Sequence, residues 1–77
     1  MSTKYIVIEL QTSSDGSIGN IVTAFDDRRD ADAKFHSILA AAAKSGLPAH
    51  AACLMTSQGY MLRNECYTNG EQTPETL

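Results

Sequence analysis

Two histidines and two cysteines, His36, His50, Cys53 and Cys66, are the residues of this chain with the most obvious capacity for chemistry. An imidazole beside a thiol can take its proton and leave a thiolate nucleophile. No local signature accompanies the four residues, and cysteine inside an apolar run is more often a small buried hydrophobe. The two cysteines match no metal-ligand spacing and can form at most one bridge. Neither catalysis nor a bound metal or cofactor is therefore expected.

Binding an anion is the other chemistry on offer. Arg63 stands mid-strand between Leu62 and Asn64, with Tyr60 and Tyr67 nearby. A guanidinium among aromatic rings can clamp a base and its phosphate, although an edge-strand arginine facing water is the plainer reading. Arg28 and Arg29 open a helix, where a guanidinium could meet a phosphate at the helix N-terminus. The surrounding Asp26, Asp27, Asp30 and Asp32 could equally neutralise them. "DGSIGN" (15–20) could converge its amides on an anion through Gly16, Gly19 and Asn20. It lacks the lysine and following helix of a P-loop, and a simple hairpin tip is the competing reading. Arg63, Tyr60, Arg28, Gly16, Gly19 and Asn20 are thus the candidate ligand-binding set.

The elements that must position these residues can be read from periodicity and punctuation. "KYIVIELQ" (4–11) alternates, separating Ile6, Ile8 and Leu10 from Tyr5, Val7 and Glu9, and predicts a strand. A polar turn-forming stretch (12–20) leads to a returning strand, "IVTAF" (21–25). Asp26 or Asp27 can cap a helix over about 28–45, which Gly46 would close in the left-handed conformation before Pro48. "AHAACLMTS" (49–57) and "YMLRNECY" (60–67) predict a second hairpin around a tight Gln58–Gly59 turn. With a two-residue turn, Cys53 opposes Asn64 and Cys66 opposes Ala51, a diagonal arrangement beyond comfortable disulfide reach. Residues 68–77 have no apolar periodicity and are expected to form a flexible tail to a single domain over 1–67. The order β-β-α-β-β predicts an α+β domain, with a four-stranded antiparallel sheet and one helix on one face.

One helix covers one face of such a sheet, yet both faces of the strands carry apolar residues. Length sharpens the point. A chain of 77 residues buries only roughly 60% of its unfolded surface. Fifteen residues are Leu, Ile, Val or Phe, while ten are alanine, so the core is thin and wants a partner. A homo-oligomer is the expected solution. The run Ala40 to Ala43 would let the helix approach the sheet on one side and a neighbouring backbone on another, or would serve helix propensity alone. The net charge of −3 argues against nucleic acid as partner. No segment of membrane-spanning length and no signal-peptide pattern is present, so a cytosolic setting with reduced thiols is expected.

"KYIVIELQT", "DGSIGNIVTAFDDR" and "KFHSILAAAAKSGLPAHAACLMTSQGY" resemble a group of short proteins encoded by phages and prophages of Clostridia and related gut bacteria. The resemblance covers about residues 4–67 and implies a role inside the host bacterial cell, but it brings no site residues with it. In size and expected self-association the chain is also similar to phage anti-defence proteins of the Thoeris type, which bind immune signals without hydrolysing them. By that analogy the expected function is a non-enzymatic phage accessory protein. It would be a homo-oligomer that sequesters a cyclic nucleotide or an ADP-ribose-derived signal. The alternative is a protein-binding factor that inhibits a host protein or assists virion assembly.

Overall fold

The computed structural model describes residues 3–68. It contains β1 (Tyr5–Thr12), β2 (Ile18–Phe25), α1 (Arg28–Ala43), β3 (Ala49–Thr56) and β4 (Met61–Thr68). The strands form one antiparallel sheet in the order β2-β1-β3-β4, with α1 against one face. The expected α+β class and element order are therefore observed. β1 and β3 hold the central positions, which suits strands with apolar side chains on both faces.

Several boundaries differ from expectation, each for a local reason. β2 begins at Ile18, because β1 runs to Thr12 and its backbone continues to pair with Ile18, Gly19 and Asn20. Gly19 and Asn20 are consequently strand residues opposite Gln11 and Leu10, and not part of a phosphate-sized loop. The helix ends at Ala43. Its last carbonyls are satisfied by tightened i→i−3 bonds, with the Lys44 and Ser45 amides donating to Ala41 and Ala42 at 3.1 Å. Positive φ occurs at Gly16 and Gly59, so Gly46 does not supply the left-handed cap. Thr68 belongs to β4, and the rest of the expected tail lies outside the described residues.

Both hairpins close with the same device. The Ser13 amide donates to the Ser17 carbonyl at 2.8 Å, and Gly16 donates to Ser13 at 2.9 Å. Thr56 and Gly59 repeat this with Tyr60 and Thr56 at 2.9 and 3.0 Å. Each is a three-residue loop with a glycine at φ near +90°, a conformation that other residues enter at a cost. The second loop is therefore one residue longer than the tight turn expected at Gln58–Gly59. A bulge follows it. Met55 opposes Met61 while Leu54 opposes Arg63, leaving Leu62 as the extra residue. The two departures cancel, and Cys53 opposes Asn64 and Ala51 opposes Cys66 as anticipated.

Asp27 caps α1 from an extended backbone conformation, accepting from the Arg29 amide at 2.8 Å. Ala31, Phe35, Ile38 and Ala42 form the buried stripe of the helix. Ala31, Phe35 and Ile38 form one core cluster with Val7, Ala52 and Leu54, with Tyr5, Phe25, Leu39 and Leu62 packed at the margin. Of the alanine run only Ala42 is buried, while Ala40, Ala41 and Ala43 are exposed.

Candidate functional site

The register settles which side chains share a face. Val7, opposite Leu54, is buried under the helix, so Tyr5, Val7, Glu9 and Gln11 are on the covered side. The same parity puts Ile6, Ile8 and Leu10 on the open side, beside Ala24, Val22 and Asn20 of β2 and Met55, Cys53 and Ala51 of β3. Ile18 and Met61 extend this face at its margins. Ile18, Val22 and Met61 are 67%, 59% and 50% exposed, while the central Ile6, Ile8, Leu10 and Cys53 are half-buried by their neighbours. The charged residues of the strands, Glu9, Arg63 and Glu65, all lie on the helix side. The open face is uncharged and largely aliphatic, with Thr12, Asn20, Asn64 and Thr68 as its polar members.

On the covered side the polar groups are tied to one another. His50 Nε2 donates to Glu9 Oε2 at 2.7 Å, and Gln11 Nε2 donates to the same oxygen at 2.9 Å. The His50 hydrogen bond holds the Glu9 carboxyl below its ordinary value, against the opposing pull of desolvation, with help from Gln11 and the charge of Lys34. His50 is 5% exposed, and its Nδ1 has no hydrogen-bond partner. Sequence reasoning gave this pair no role. The available signal was a glutamate inside an apolar strand, on the face that alternation assigns with Val7.

Arg63 meets the helix. Its guanidinium lies 5.6 Å from the Phe35 ring centre, donates to His36 Nε2 at 3.4 Å and is 3.8 Å from Asp32 Oδ1. The bulge makes this possible, because Leu62 also packs on the helix-side core while Arg63 takes the position opposite Leu54. Tyr60, 72% exposed, leaves the β3–β4 turn at the end of the sheet where α1 starts. Arg28, exposed in the first turn of the helix, is at that end too. Gly16 is at the other end, in a turn whose Asp15 Oδ1 accepts from the Ser17 amide and hydroxyl at 2.9 and 2.7 Å. Within one chain Tyr60 and Arg28 share one end of the sheet, on its β4 and β2 sides respectively, with Arg63 towards that end of β4. Gly19 and Asn20 lie on the edge strand opposite Arg63's, and Gly16 is separated from Tyr60 by the length of the sheet. The separation approaches the length of an eight-residue strand, roughly 26 Å.

Asp27 is likewise committed, its carboxylate held low by the side chain and amide of Arg29. Lys4 pairs with Asp26. Among the described residues there is no surface pocket, and no helix is long and apolar enough to cross a membrane. Fold and site together define a two-layer α+β protein with one helix-covered sheet face and one open apolar face. Comparison with protein families, with curated proteins and with solved structures gives no match.

Proposed function

We propose that this chain is a non-enzymatic binding protein that works in more than one copy. Its cargo is a small nucleotide-derived signal of the cyclic nucleotide or ADP-ribose kind. The observation that carries the binding reading is the open sheet face, an uncharged and largely aliphatic surface of the extent that functional patches have. The two histidines and Asp27 also support it, being engaged in structural contacts: His50 with Glu9, His36 with Arg63 and Asp27 with the helix cap. The cargo assignment draws on the likeness to phage anti-defence proteins and on Arg63, Tyr60 and Arg28 standing towards one end of the sheet. Calorimetric titration with cyclic dinucleotides and ADP-ribose isomers tests it. Heat of binding with the ligand recovered intact is expected. Turnover of the ligand, or silence across the whole panel, overturns the assignment.

The same open face favours a second reading, in which the chain binds a host protein or a virion component. A stoichiometric partner that co-purifies with the native chain and is lost with Val22→Asp would support this reading over the first.

A further inference from the structure

We infer that the open face seats a second copy of this chain, the two sheets stacking face to face with the Ile8–Cys53 pair of each at the centre. β1 and β3 are the inner strands, and Ile8 and Cys53 oppose one another midway along them. Any neighbour that covers the face evenly is therefore centred on this pair.

Three properties select a copy of the same chain as the occupant. The face carries no charged strand residue, so a chain of net charge −3 can approach itself there without bringing like charges into contact. Its extent is sufficient. Four strands of eight residues present about 500 Å² per copy, and two copies together reach the roughly 1,000 Å² that a specific interface needs. Residues 69–77 would make a poor cover, since Leu77 is their one large aliphatic side chain and two of them are glutamates.

Sheets stacked in this way lie about 10 Å apart, and the twofold axis runs in the plane between them. With the axis perpendicular to the strands, Cys53 of one copy lies across from Cys53 of the other. With the axis along the strands it lies across from Ile8, one strand spacing aside, and the two Cys53 Cα atoms are about 11 Å apart. Their Cα atoms are then too far apart for a disulfide but within range of a short bifunctional thiol reagent. Cys66 shares the open face, opposite Ala51, but stands on the edge strand β4.

The inference rests on the binding reading only in taking the open face as the working surface. Sedimentation of the full chain with Val22→Asp, Ile8→Asp and Ile21→Asp variants tests it. Val22 and Ile21 are adjacent on β2 and similarly exposed, but Ile21 points to the helix side. The expected result is a wild-type dimer, loss of the dimer in Val22→Asp with its circular dichroism retained, and an unaffected dimer in Ile21→Asp. Ile8→Asp, at the centre, should dissociate as well. If it does not fold, Val22→Asp decides alone. In the wild type Cys53 should cross-link to Cys53 and react more slowly with a monofunctional reagent than in Val22→Asp. A wild-type monomer at tens of micromolar, or a dimer broken by Ile21→Asp and not by Val22→Asp, overturns the inference. A monomer that still takes up nucleotide removes this pairing and leaves the binding reading; a dimer that takes up none does the reverse.

Discussion

The two faces of the sheet are built from the same strands and differ in what they can do alone. The covered face is chemically mixed: Val7, Ala52 and Leu54 are buried beside a histidine–glutamate pair, and Arg63 lies against Phe35. The open face is uncharged and largely aliphatic and sulfur-bearing, with two asparagines and two threonines as its only polar strand residues, yet it is the one left in water. Polar groups can be buried where fixed partners satisfy them, and one helix with three neighbouring strands provides those partners. A face meant for a cover from outside the chain is better kept free of groups whose partners would have to arrive with it. The contrast teaches that hydrophobicity alone does not identify the interior of this protein.

The comparison can be broken most forcefully at adjacent residues of β3. Leu54→Ala empties a fully buried site and should cost about 2–5 kcal/mol in urea denaturation. Met55→Ala, pointing the other way, should cost under about 1 kcal/mol when measured on a dissociated chain. Equal losses would mean that the open face is already covered within one chain. A smaller effect is expected at the polar pair. His50→Ala leaves the half-buried Glu9 carboxylate without its closest donor and should cost about 1–3 kcal/mol.

The pH dependence follows from the same pair. Glu9 titrates below its ordinary value of 4.5 in the folded chain, so its contribution is present above that pH and is lost as pH falls through the folded value. The acid limb of a stability–pH profile should therefore flatten in Glu9→Gln relative to wild type. At the helix entrance, Asp27→Ala should remove about 1 kcal/mol and some helical dichroism, an effect independent of either face. Val22→Lys is the smallest perturbation. It should change the stability of a dissociated chain by less than about 0.5 kcal/mol while abolishing any dependence of melting temperature on concentration.

Element order was legible because each signal was local: alternation in β1, an aspartate ahead of the helix, Pro48 after it. The sharing of faces was only half legible. Alternation separated Ile6, Ile8 and Leu10 from Tyr5, Val7 and Glu9 but could not say which set the helix covers, since that depends on pairing between distant strands. The three large aliphatics are on the open side, contrary to what transfer energies alone would favour. Gly19 and Asn20 look like loop residues by composition, yet the backbone ladder with β1 holds them in β2. The candidate site fared similarly. Arg63 was visible as an arginine near aromatic rings, but the ring it meets, Phe35, is on the helix and is reached through a bulge that no local pattern announces.

That bulge has a consequence for how the protein survives at high concentration. A strand that adds to a neighbour needs an even row of amides and carbonyls, and the extra residue at Leu62 interrupts the row along β4. β2 keeps an unbroken ladder with β1, so its outer side remains a regular template. Side-by-side addition of another strand is therefore favoured at the β2 border and discouraged at the β4 border.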